Sequence, residues 1–350
     1  MSESVDDRVI ASTGAADQRA RIAVAVAVVL IVFDALALLS GEAPRALLVR
    51  ALAGTWGTGY GVGQVLYKAT PLLLTGLGFR VALRAGLFNI GVEGQLMLGS
   101  LAAGVVGASL PASTPWLLGV PVVAASAALA GGSVGAVAGA LRARFGVHEV
   151  IATLLLNRVV EALVPYLLQH GAGASGYRTP DSVAGAHVAR LESLLPAATG
   201  LDGSAVSLAA PLAGVVTIAT IAWQRRSDVG RELGWVGLGP DACAAQGIPV
   251  GARWTLALAL SGALAGLGAL ATVSGYKGYY ELGLGSGAGF AGIAVAMLGG
   301  ESAVGLVAAA LALATLAQAG LVLNASLPRE AMDVLTATVL LAAAAGRRRA

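Results

Sequence analysis

Apolar runs recur along this 350-residue chain, most of them close to the roughly 20 residues that carry a helix across a bilayer core. Ten can be marked, at 22–39, 62–79, 89–110, 116–141, 149–168, 206–223, 254–273, 287–298, 303–323 and 331–345. A water-soluble fold would have to cover them all, and the residues for that are missing. The chain is 57% hydrophobic and only 12% charged, about half the ~25% of soluble domains. The expected fold is therefore all-α: a polytopic integral membrane protein with about ten transmembrane helices. Two runs fit a full crossing poorly, because 62–79 contains Lys68 and Pro71 and 287–298 is short. Both are expected to be broken, short or re-entrant.

Orientation follows from the cations, which concentrate in cytoplasmic loops. With ten crossings and an internal N-terminus, the inside carries Arg80, Arg84, Arg142, Arg144, Arg225, Arg226, Arg231, Arg253 and the 347–349 cluster. The outside keeps a minority: Arg45, Arg50, Arg178, Arg190, Lys277 and Arg329. Both termini are expected in the cytoplasm. Residues 1–21 contain Glu3, Asp6, Asp7 and Asp17, unlike the short positive start of a signal peptide. They read as a disordered tail before an uncleaved first helix. A single transmembrane domain then covers 22–346, with an external loop at 169–205, a cytoplasmic loop at 224–253 and a tail at 347–350.

Several chemistries are excluded by inspection. One cysteine and three scattered histidines give no metal motif. The arginines flank apolar runs instead of forming one basic patch, so lipid is the expected surface partner and nucleic acid is not. Neither lysine, Lys68 nor Lys277, precedes Ser or Thr in a phosphate-binding loop, so the chain lacks that ATP-binding motif. No clustered acid pair or nucleophile suggests catalysis.

Polar residues at membrane depth mark helix contacts or a pathway. Asn89 and Glu93 are four apart, as on one helix face, and either lock helix ends together or meet a solute. Glu149, Thr153, Asn157 and Glu161 recur every four residues, with Arg158 placed to neutralise Glu161 one turn away. Thr153 and Asn157 can line a cavity. Alternating glycines from Gly283 to Gly289 precede a short apolar helix, as in a broken segment whose free amides face a cavity, with Phe290 available to stack on a ring. The alternative there is an outer loop with interfacial tyrosines. Met97-Leu98-Gly99 and Met297-Leu298-Gly299 hint at an internal repeat. In the cytoplasmic loop, Pro240 can open and Gly247 can close a short helix. That element can dock a partner or lie on the headgroups.

Three of these segments carry a resemblance. Residues 86–99, 148–157 and 289–299 look like the Asn-Ile-Gly-x-Glu-Gly-Gln, Glu-Val-Ile-x-Thr-x-x-x-Asn and Gly-Phe-x-Gly-Ile-Ala-Val-Ala-x-Leu-Gly segments of bacterial ABC-importer permeases. The superfamily transports branched-chain amino acids, simple sugars and nucleosides, and the chain is most similar to its nucleoside permeases. The resemblance implies half of a translocation path for a nucleoside or related purine- or ribose-containing solute, with Asn89, Glu93, Thr153, Asn157 and Phe290 as path residues. It implies a coupling helix using Gly237, Pro240, Asp241, Ala242, Gly247 and Ile248, although Gly239, Ala244 and Ala245 depart from the family pattern. It further implies a separate ABC ATPase that binds ATP and Mg²⁺, a second and different permease chain, an external substrate-binding lipoprotein, and no cofactor in this chain. The location implied is the bacterial plasma membrane. A simple sugar or branched-chain amino acid is the alternative cargo. An ion-coupled transporter relaying through Asp34, Glu93 and Glu149 is the competing class.

Overall fold

The computed structural model describes residues 23–24, 26–171 and 176–345; the tails assigned to 1–21 and 347–350 lie outside them. Thirteen α-helices are described: α1 (Val26–Leu39), α2 (Pro44–Thr55), α3 (Gly59–Arg84), α4 (Val92–Ser109), α5 (Trp116–Phe145), α6 (Glu149–His170), α7 (Ala209–Arg226), α8 (Asp228–Leu238), α9 (Pro240–Ala245), α10 (Val250–Gly266), α11 (Ala288–Gly299), α12 (Ala303–Leu323) and α13 (Arg329–Ala345). Over its described residues, each of the ten apolar runs is mostly helical. Among the described residues, four helices are long and apolar enough to cross a bilayer: α5, α6, α12 and α10 extended to Lys277, or five if the bent pair α1–α2 is one span.

The described residues cluster in two compact units, divided at Thr58/Gly59 and Ala314/Thr315. In Gly59–Ala314, helices meet through small residues, as expected where lipid gives no hydrophobic drive to association. Gly131, Gly135 and Gly139 share a face of α5. A Cβ on each would strike the α10 backbone at Gly262, Leu258 and Thr255. Gly99 of α4 sits equally close to Gly266, and Gly292 of α11 close to Thr75 and Gly76 of α3. The second unit packs Ala37, Leu47, Leu323, Leu327, Met332 and Leu335 together, with Arg50 donating to Ser326 Oγ at 2.8 Å.

Several expectations change. Residues 62–79 are not broken: α3 runs through Pro71 for 26 residues. Thr70 Oγ1 bonds the Leu66 carbonyl at 2.8 Å in the turn before the proline, and Thr75 Oγ1 the Pro71 carbonyl at 2.8 Å in the turn after it. The short segment is present as α11, 12 residues long. After α1 the chain bends by 107° into the unforeseen α2, with Gly41 at φ 74° in the turn and Pro44 at the helix start. The 254–273 run divides into α10 and a π-helical stretch, Leu270–Lys277, a geometry common at functional sites.

Much of the 176–205 stretch is tied down. Thr179 N donates to the Tyr280 carbonyl (2.8 Å) and Val188 N to that of Ser274 (3.0 Å), so the loop lies on the segment following α10. Arg178 stacks 4.2 Å over the Tyr279 ring, and Lys277 pairs with Glu281 at 3.1 Å.

Candidate functional site

The polar residues singled out by sequence converge on the start of α4. Asn89 does not share a helix face with Glu93, because α4 begins only at Val92. Residues 85–91 form a turn with Gly86 at φ 72°, where a Cβ would come within 3.2 Å of Gly237. Asn89 is fully buried. Its Oδ1 accepts from Gly91 N at 2.9 Å, closing a local Asx turn, and Nδ2 donates to Gln95 Oε1 (2.9 Å) and Ser261 Oγ of α10 (2.8 Å).

Helix α6 then supplies partners for the buried N-terminal end of α4. The first N–H groups of a helix have no partner within it. Asn157 Oδ1 accepts from Gly94 N (2.8 Å) while its Nδ2 donates to the Ile90 carbonyl (2.9 Å). One turn earlier, Thr153 Oγ1 accepts from Ile90 N (3.2 Å) and donates to the Glu149 carbonyl (2.8 Å). Glu149 accepts from Phe88 N at 3.4 Å and pairs with Arg142 of α5, whose guanidinium lies 4.5 Å over the Trp254 ring of α10. Four helices are thereby pinned around one turn.

Glu93 reaches the other way. Its carboxylate accepts from the amides of Gly287 (2.6 Å), Gly289 (2.8 Å) and Phe290 (3.3 Å), at the N-terminus of α11. Those amides are therefore not free to face a cavity, which corrects the reading from the glycine pattern: a carboxylate 194 residues earlier caps them. Past the other end of α11, Arg80 donates to the Glu301 carbonyl (2.8 Å) and to Gln224 Oε1 of α7 (2.7 Å). A negative group at the N-terminus and a positive one beyond the C-terminus both oppose the helix macrodipole. The half-length helix is clamped at each end.

Of the five path candidates, Asn89, Thr153 and Asn157 are buried with their polar atoms committed to packing. Glu93 is partly exposed, and only Phe290, 46% exposed, presents its side chain openly. The geometry thus matches the helix-locking alternative for the first four. Sequence reasoning missed Ser261, Gln224 and the Arg142–Trp254 stack. Ser261 could have been flagged as a polar residue deep in an apolar run.

On the loop between α7 and α10, α9 spans Pro240–Ala245 with Pro240 in its first turn, and Gly247 follows at φ 80°. The unforeseen α8 precedes it, started by Ser227 Oγ accepting from Gly230 N at 3.0 Å, a cap that Ser227-Asp228 does spell out. Gly237 is pressed against the Arg84 carbonyl and Gly86, Cys243 is buried, and Arg253 pairs with Glu232. Leu238 is 90% exposed, and Asp241, Ala242 and Gln246 are exposed beside it. A firmly seated support thus carries an uncovered apolar and acidic tip.

A bundle of apolar helices joined by glycine contacts, with several buried polar groups locking helix ends, is the architecture of a multi-pass membrane protein. The chain belongs to the family described as branched-chain amino acid transport system, permease component, which matches residues 61–344. It is 35% identical over 293 residues to the guanosine ABC transporter permease protein NupP of Bacillus subtilis, covering 82% of each chain. It is 32% identical to a glucose ABC transporter permease protein of Haloferax volcanii, over 81% of this chain and 75% of that one. The nucleoside ABC transporter permease protein NupB of Lactococcus lactis is 31% identical, over 81% and 79%. No solved structure matches the chain.

Proposed function

We propose that this chain is the transmembrane permease subunit of an ATP-driven importer and forms half of the translocation path for a nucleoside. The reading is carried by the 35% identity to a guanosine permease across 82% of both chains, supported by the nucleoside permease at 31%. A simple sugar is the second reading, favoured by the glucose permease at 32%.

In this account the chain performs no covalent chemistry. A separate ABC ATPase binds ATP and Mg²⁺, and the projecting α8–α9 element, through Leu238, Asp241 and Gln246, receives its motion. Gly237 against the Arg84–Gly86 turn passes that motion to α3 and the start of α4. Because Glu93 joins α4 to α11, a shift of α4 carries the N-terminus of α11 with it, and packed elements of this kind switch between discrete arrangements. A second permease chain completes the path, and an external lipoprotein delivers the solute. The complex lies in the plasma membrane with both termini of this chain inside. The test is uptake of labelled guanosine and labelled glucose by cells producing the complete transporter. ATP-dependent accumulation of the nucleoside is expected; accumulation of glucose alone would replace this reading with the second.

A further inference from the structure

Arg158 and Glu161 of α6 form an ion pair at 2.7 Å, with side chains 74% and 35% exposed. Their depth makes that exposure unusual. Helix α6 has 22 residues and passes the length and hydropathy test for a membrane span. At 1.5 Å per residue, Arg158 lies about 14 Å from its first residue and Glu161 about 14 Å from its last. The pair is therefore central, and neither end is near enough for the arginine to reach an interface by stretching its stem. A charged group in mid-span facing hydrocarbon is costly, so this face meets water or protein in the membrane.

The surroundings indicate which. Helix α6 packs mainly on α4 and α5 and leaves Ile151, Leu155, Val159 and Ala162 exposed around the pair. The negative charge of Glu161 acts unfavourably on the Glu93 carboxylate. Glu93 in turn holds the amide of Phe290, the path candidate with an open side chain. Charge repulsion thus links the pair to Glu93, and a hydrogen bond links Glu93 to Phe290. A guanidinium has five N–H donors, and the bond to Glu161 employs NH1, leaving donors on the exposed side. The carboxylate adds acceptors at nearly balanced charge. That combination suits a neutral solute carrying both donors and acceptors.

We propose that Arg158 and Glu161 form a polar wall of the solute path and hydrogen-bond the transported solute in transit. The assignment rests on the permease reading and adds to it the residues that meet a neutral, hydrogen-bonding cargo.

The test uses the complete transporter in cells. Leu155→Cys and Ala162→Cys flank the pair on its exposed face, and the native Cys243 is buried, so the unmodified chain serves as the blank. Both positions should react with a charged, membrane-impermeant thiol reagent, and excess transported nucleoside should slow the reaction at least about threefold. Absence of reaction at both sites, meaning coverage by lipid or by the second permease, overturns the assignment, as does reaction that no solute slows. The double variant Arg158→Leu/Glu161→Leu removes both charges, leaving neither unpaired. It should slow uptake about tenfold at unchanged assembly, the worth of one charge-assisted bond. Wild-type nucleoside uptake in that variant overturns the assignment while the nucleoside reading stands. Protection of the cysteines by glucose and not by guanosine supports the wall and overturns the nucleoside reading.

Discussion

Replacing Glu93 by Gln removes the charge that caps α11 while keeping the side chain's size. In the native structure the two carboxylate oxygens accept from Gly287, Gly289 and Phe290 at 2.6, 2.8 and 3.3 Å. The amide of Gln offers one acceptor oxygen, and its NH₂ faces an N–H donor, so one charge-assisted bond worth ~1.5–3 kcal/mol is lost. The favourable charge–dipole term at the helix start, about 0.5–2 kcal/mol, goes with it. Relief of repulsion from Glu161 offsets part of this, and Arg158 already neutralises much of that repulsion. A net loss of about 2–3 kcal/mol is expected, corresponding to a ~30–150-fold more frequent opening of this helix end. Hydrogen exchange on the purified transporter reads it directly at Gly287, Gly289 and Phe290, with the interior of α5 as an unchanged reference. Less than threefold acceleration at those amides would refute the capping role.

The remaining predictions concern packing, coupling and topology. Asn157→Leu leaves Gly94 N and the Ile90 carbonyl unpaired in a buried site, so it should destabilise the folded chain by ~2–4 kcal/mol, seen as a lower melting temperature in detergent. Phe290→Ala, at an open position, should leave that temperature nearly unchanged and slow uptake by the ~0.5–1.5 kcal/mol of a lost stacking contact, measured at matched expression. Asp241→Lys/Gln246→Lys should lower transport and release ATP hydrolysis from it while the permeases still assemble. Normal transport would move the docking surface to another loop. Reporter fusions after Arg144 and Arg349 should both report the cytoplasm; an external signal at Arg349 would break the even number of crossings.

What could be read from the chain alone was what is local. Apolar run length located the helices, Pro240 and Gly247 bounded α9, and the three-residue spacing paired Arg158 with Glu161. Long-range bonds were not legible. Glu93 meets Gly287 across 194 residues, and Asn157 meets Gly94 across 63, so the sequence showed costly polar groups without showing which of them were already satisfied. Asn89 was assigned to a helix because its spacing to Glu93 fits one, but its side chain competes with the backbone and holds a turn instead. Helix α2 was passed over because its 12 residues are fewer than a span needs, although Gly41 and Pro44 mark the bend. Lys68 and Pro71 argue against a continuous α3, yet the helix runs whole through both, its residues from Ala69 to Ala82 buried among neighbouring helices.

The central claim is that this chain opens a path for a nucleoside under the power of a separate ATPase. It is tested most directly by following labelled guanosine into host cells that lack only this chain, with and without its restoration on a plasmid, in the presence of excess unlabelled glucose or leucine. Accumulation should fall to background in the deletion, return with the plasmid, require ATP, and persist under either competitor. Accumulation unchanged by the deletion, or abolished by glucose or leucine, would contradict the account.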